Sequence, residues 1–456
     1  MRRPLLTALA AHALVVGAVP AAGVGISPVI PGIPGDSVIS PNLRHVGHIP
    51  TDAGGVSMKV VRVGNQTRAF VSTIDGLTIY DATNPLAPEL LGRLPIYNWE
   101  NEDIAISKDG STAILTEFTS TFYLHVLDVT NPRLPLLKGT LLLGGDHTVD
   151  CADAGCNYLF GSEGNTYDIR DRSHPVLLPK AQRWGTLTQA RPGHALHRDD
   201  AGIWTADTSP LTVFRLNPDP LHLKVLTTGT ITKNTAYQHN NIRPRAARYV
   251  PRAKGESLGG PLRDGELLLG EGETNEELRC GGSNGAFSTW SMAGFDRGVP
   301  MHQLYTMRPM SNRLFTEDAA VNALGCSGHW FTQKDGKDGK ILVAAAWYEH
   351  GTRLLSVNPR NGVITQIGYF QPHRGSASGA FWMPGSDVIW TVDYISGIDI
   401  LAFDQAPKLR PSVAMTDASW LARIDVDPFS QAMRDLCRAG TKATLEQHQA
   451  VHRLLG

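Results

Sequence analysis

Four histidines occupy matching places along this chain. His147, His194, His239 and His329 each open the first strand of a repeated unit, and the acids Glu102 and Asp103 take that place in another copy. Where repeated units wrap round one axis, residues at matched positions meet there however far apart they lie in sequence. Imidazoles gathered in this way repel one another when protonated, and burial disfavours their charge. A metal ion resolves both problems, because neutral imidazole is a common ligand of zinc, copper, iron and nickel. The pattern predicts a divalent transition metal (zinc, copper or iron) held by His147, His194, His239 and His329. Glu102, Asp103, Glu163, Glu271 and Glu273 are expected as further ligands or as carboxylates that orient a ring N–H. Glu102 or Glu163 would serve as general base. His197, three residues beyond His194, and His350, at a strand end in Glu349-His350-Gly351-Thr352-Arg353, are alternates. Taken singly, each His could instead be structural, bonded to backbone or to channel water.

The elements that must position these residues repeat every 45 to 60 residues or so, the range of propeller blades. The third strand and the corner after it mark the unit most plainly: LTIYDATNP at 77–85, YLHVLDVTNP at 123–132, TYDIRDRSHP at 166–175, LTVFRLNPDP at 211–220, RLLSVNP at 353–359 and IDILAFDQ at 398–405. Each is an alternating β-rich run closed by Asp or Asn and, in most copies, Pro. An Asn or Asp side chain bonds backbone two residues on, and Pro cannot continue a ladder. Second strands tend to end on an acid, as at Glu117, Glu163, Asp207, Glu271 and Asp393. Counting first strands predicts an all-β fold, a seven-bladed β-propeller over 42–405. The last unit is one strand short, and Asn42 to Ile49 is expected to close it and protect its open edge. A solenoid would require capping repeats that the sequence does not contain.

LTIYDATNP and YLHVLDVTNP resemble the LVIVD repeat of secreted bacterial β-propellers, and GDHTVDC, GSEG, GEGETN, CSGHWF, WYEHGTR and VDYISGIDIL resemble stretches of the same group. The resemblance runs from about 50 to 405 and implies a fold. It implies no activity, because that family largely lacks an assigned one and a fold alone supplies none.

Composition narrows the partners. Lys+Arg 42 against Asp+Glu 43 leaves no basic excess, which excludes the usual footprint of nucleic-acid binding. Residues 1–23 read as an export signal: Arg2 and Arg3, an apolar run from Leu5 to Val19, and small residues at Ala18 to Gly23. The adjacent arginines faintly resemble a twin-arginine signal. A linker is expected at 24–41 and no membrane span in the mature chain, so the protein is expected to be secreted. The five cysteines suit an oxidising compartment; Cys151 with Cys156, and Cys280 with Cys326, are the candidate pairs. Asp427-Pro428 starts a predicted helix in a helical tail at 406–456, where His448 and His452 lie four apart on a face more simply read as solvated. Insertions at 243–265 and 291–325 lengthen two connections, and long loops on a rigid scaffold often bind.

Two main functions follow. One is a secreted propeller with a His-lined axial metal, acting on an unknown small molecule as a metalloenzyme. The other is a non-catalytic scaffold that engages an extracellular protein or glycan through those loops. A calcium-dependent lactonase-type hydrolase is disfavoured, because hard cations want oxygen ligands where this chain supplies imidazole. Trp347-Tyr348 and Phe381-Trp382 could stack on a ligand or fill core.

Overall fold

The computed structural model describes residues 30–31, 37–51, 54–98, 101–117, 123–142, 146–191, 193–208, 210–229, 238–273, 285–308, 327–372 and 375–405. The expected signal segment, the helical tail, Cys280, Cys326, His373 and much of the 291–325 connection lie outside them.

The alternating runs form short antiparallel strands, and the Asn/Asp–Pro corners end them. The third strands fall at Gly76–Asp81, Leu124–Asp128, Thr166–Asp168, Thr212–Leu216, Phe287–Ser291, Thr352–Val357 and Gly397–Phe403. At the first corner the Asp81 carboxylate accepts the backbone N–H of Thr83, two residues on, at 2.9 Å. The fold is an all-β propeller. Among the described residues the only α-helix is the five-residue Trp184–Thr188.

The expectation of seven blades is corrected. Five four-stranded blades stand as separate sheets, over 55–95, 105–141, 149–177, 196–228 and 238–307. The remaining ten strands are one continuous sheet. Its two halves join where Trp330–Asp335 pairs in parallel with Ala377–Trp382, Trp330 opposite Gly379 and Phe331 opposite Ala380. The cause is local. A Cβ at Gly379 would come 3.3 Å from the Cβ of Trp330 and 2.4 Å from the Phe381 ring, so glycine allows the close approach. Thr332 then stitches the strands, its hydroxyl donating to the Ala380 carbonyl and accepting from the Trp382 N–H. Pairing between repeats leaves no mark in the grammar of one repeat, so counting units missed it.

The outer end of this sheet is supplied by the N-terminal segment. Leu43–Ile49 pairs antiparallel with Gly397–Phe403, and Ile30–Pro31 adds to its far side. Val38–Ile39 pairs with Ile364–Gln371 at the opposite edge. The expected linker at 24–41 thus contributes two short strands.

The core lies as wedges between neighbouring sheets. Phe70, Leu77 and Ile79 of the first blade meet Ile104, Ala113 and Leu115 of the second. At the other end of the chain, Trp390, Val392 and Ile398 pack on Met58 and Val71 of the first blade, and the ring closes. Burying such side chains contributes about 1.5–3 kcal/mol each. Trp347, Phe381 and Trp382 belong to these wedges, which answers their reading in favour of core. Cys151 and Cys156 form a disulfide across the tight turn between the first two strands of the third blade.

Candidate metal centre

The innermost strands carry the site. In three of them the axis-facing residue sits in a β-bulge: the pairing skips Val56 between Gly55 and Ser57, His239 between Gln238 and Asn240, and Ser378 between Ala377 and Gly379. A bulge sets two residues against one and re-aims a side chain. In the other inner strands the residue lies just ahead of the paired segment. Glu102, His147, His194 and His329 precede strands that begin at Ala105, Val149, Leu196 and Trp330. Side-chain ties hold these segments to one another. The Ser57 hydroxyl donates to the Asn101 carbonyl at 2.8 Å, the Thr148 hydroxyl to the His194 carbonyl at 2.6 Å, and the Ser378 hydroxyl to the Val56 carbonyl.

The four predicted imidazoles converge on one atom. Oε2 of Glu102 lies 3.0 Å from Nε2 of His239, 3.2 Å from that of His329, 3.3 Å from that of His194 and 3.4 Å from that of His147. Adjacent rings stand 3.7 to 4.4 Å apart between centroids. The Trp330 indole donates to Oε2 at 3.2 Å and the Tyr394 hydroxyl to Oε1 at 3.3 Å. Glu273 approaches from one side, 3.9 Å from Nε2 of His239, and accepts the Tyr348 hydroxyl at 2.5 Å. Tyr348 holds a φ of 33°, a conformation costly for a non-glycine residue and met at ligand clamps. His194, His239, His329 and Glu102 are all buried; His147 keeps 15% of its side chain exposed and marks the open side.

Electrostatics divide the group. Burial would push Glu102 up, but the charges on His329 and His147 and the bonds from His147 and His239 hold it well below the carboxylate range. Burial alone would lower His329, yet Glu102 draws it above its ordinary value. Burial and repulsion from neighbouring imidazoles depress His194 and His239.

These residues fit a metal ion. Donor atoms on one ion about 2.0–2.1 Å away are separated by about 3.0 Å in an octahedron and about 3.4 Å in a tetrahedron. The Glu102–imidazole distances fall in that span. Nδ1 of His329 donates to the Ser378 carbonyl, which can only accept, so in the neutral ring the lone pair is on Nε2 and faces Glu102. Glu102, His194 and His239 form one set of mutually close donors, and His239, Glu273 and His329 another; His147 is in neither and reaches the group through Glu102, at 3.4 Å. These buried His/Glu groups could hold a metal ion.

Other expected residues fall elsewhere. Asp103 turns from the imidazoles to Lys59, at 3.0 Å, and burial raises it to about 6. His197 is half-buried, edge-on to Trp330, lowered to about 3 by burial, and belongs to neither donor set. Glu163 is half-buried; burial first, then Asp146, raises it, and His147 opposes them. Glu271 is fully buried beside Gly328 and outside both sets. His350 lies in the turn that closes on Trp347 and is in neither set. Sequence reasoning missed Trp330, Tyr348 and Tyr394 as polar partners. Their signal lay in GHW, WYEH and VDY, stretches that the spacing of the histidines did not single out.

No family model and no curated protein matches this chain. Solved structures do. The β-propeller domain of Cps50 (Swd1) from Myceliophteria thermophila is 10% identical, with 78% of this chain and 98% of that one covered and a TM-score of 0.50. A putative 6-phosphogluconolactonase from Bacteroides fragilis NCTC 9343 is 14% identical, with 80% and 96% covered and a TM-score of 0.51. At such identities the likeness is one of fold alone.

Proposed function

We propose that this chain is an exported propeller of the LVIVD-repeat kind that binds one transition-metal ion on its axis. His147, His194, His239 and His329 act as donors, and Glu102 joins them as a ligand rather than an outer carboxylate. The observation that carries this reading is the convergence of four Nε2 atoms on one Glu102 oxygen at 3.0 to 3.4 Å. Zinc, copper and iron all accept an imidazole-rich set with a carboxylate. Such an ion would supply Lewis acidity or redox chemistry to a small molecule entering beside His147. Glu273 and Tyr348 would orient that molecule, and the surrounding core would exclude bulk water.

The test is elemental analysis of full-length protein purified without a His tag, paired with anomalous scattering at the axis. About one equivalent of a single transition metal is expected. Replacing His147 and His239 together by Ala should abolish it while the circular dichroism of the β-sheets persists. Absence of stoichiometric metal from the unsubstituted protein overturns the proposal.

A further inference from the structure

Glu271 is out of keeping with its surroundings. It lies on the second strand of the fifth blade, fully buried, and neither carboxyl oxygen has a hydrogen-bond partner. Its carboxyl group presses on the peptide just before His329, where a Cβ on Gly328 would come 2.4 Å from Oε1. Across the ladder it is paired with Asn240, and His239 is the extra residue of the bulge, so His239 and Asn240 together oppose Glu271. Nδ1 of His239 is also buried without a partner, while Nε2 of the same ring faces Glu102. An unpaired carboxyl group and an unpaired ring nitrogen thus occur on opposed positions of one strand pair. Each is costly alone, and an apolar side chain would fill either place at less expense.

We propose that Glu271 is a positioning residue for the metal centre: it accepts the Nδ1–H of His239 when Nε2 of that ring is bound to an ion. This rests on the metal reading above. An ion on Nε2 withdraws electron density from the ring and strengthens Nδ1–H as a donor, and a carboxylate is the acceptor that gains most. The bond fixes the tautomer with its lone pair toward the axis. It makes His239 the counterpart of His329, whose Nδ1 is already held by the Ser378 carbonyl. Glycine at 328 is then required to leave room for the carboxyl group.

The test is titration of cobalt(II) chloride and zinc chloride into the metal-free, tag-free full chain, unsubstituted and as Glu271→Gln and Glu271→Leu. Loss of such an outer carboxylate weakens metal binding by about 10–100-fold. The leucine variant should show the full loss. The glutamine variant, which keeps an acceptor without the charge, should show a smaller one, and both should shift the visible absorption of bound cobalt. A purely structural role would leave that absorption unmoved. Should the leucine variant fail to fold, the cobalt spectrum of the glutamine variant decides. Unsubstituted protein that binds metal, with variants matching it in affinity and spectrum, overturns the role of Glu271 and leaves the metal reading standing. Unsubstituted protein that binds neither ion, and carries no stoichiometric transition metal as purified, overturns both.

Discussion

Glu102 is the residue on which the site turns. One of its oxygens meets four imidazoles and an indole, and the other meets a phenol. In metal-stripped protein it is also the counter-charge to His329. Replacing Glu102 by Ala should therefore act twice: metal affinity falls at least tenfold, and the stripped protein loses on the order of 3 kcal/mol, the usual consequence of leaving a buried charge unpaired. Isothermal titration with zinc and urea unfolding in chelator read the two effects separately. The histidines were legible because each opens a repeat, so register alone aligned them. The standing of Glu102 was not. It lies ahead of a two-residue strand, Ala105–Ile106, where nothing in the spacing says which of two adjacent acids turns to the axis. The choice is made by Lys59, which takes Asp103 and leaves Glu102 to the imidazoles.

At the level of the element, the corner motif does more than stop a strand. Gly139, in the outermost strand of the second blade, receives the corner of the third: a Cβ there would come 2.3 Å from the Arg172 carbonyl oxygen. Gly92 receives the second blade's corner in the same way, 2.3 Å from the Pro132 carbonyl oxygen. The Gly in the outer strand and the Asp/Asn–Pro corner are two halves of one joint, present between the first and second blades and between the second and third. Gly139→Val should therefore destabilise the protein by about 1–3 kcal/mol through overpacking, seen as a lower urea midpoint with an unchanged slope. Strand positions were readable from alternation and corner residues because those are local causes. The ten-stranded sheet was not, because its junction depends on one glycine, Gly379, set against Trp330 from a different unit. The bulge at His239 was hidden for a like reason: it is defined by the partner strand.

For the whole molecule, closure of the ring depends on Leu43–Ile49, and that contact is ionic as well as hydrogen-bonded. Nε2 of His45 and Nδ1 of His48 lie 2.8 and 3.0 Å from Oδ1 of Asp399. Burial opposes charge on both sides of this cluster. Asp399 is nonetheless held well below its ordinary value by bonds and charge from the two histidines, and His48 is raised above 6.5 chiefly by Asp399. Asp393, which also acts on His48, is raised to about 6, chiefly by burial. The contribution of His48 is fully present below pH 6.5 and is lost as pH rises through its raised folded value. That of Asp399 is present above its unfolded value near 3.8 and is lost as pH falls through its depressed one. Asp393 adds a loss as pH rises between 3.8 and about 6, and above pH 6.5 the two raised imidazoles, His48 and His329, both lose their contribution. Urea midpoints of the unsubstituted protein should fall from pH 6.5 to 8.5, and those of Asp399→Asn should start lower and fall less across that range, the remainder belonging to His329.

The pairing of Leu43–Ile49 with Gly397–Phe403 has one more consequence. The two strands are antiparallel, and the backbone N–H of Asp404 donates to the carbonyl of Asn42 at 2.8 Å, so Leu43 and Phe403 stand side by side where a loop would normally join neighbours. The molecule is in effect a circle cut open at a hairpin. The order of its strands along the chain could be rotated: a short turn spliced from 405 to 42, with new ends opened between Ile49 and Gly55, would convert the most distant strand pairing among the described residues into one of the most local.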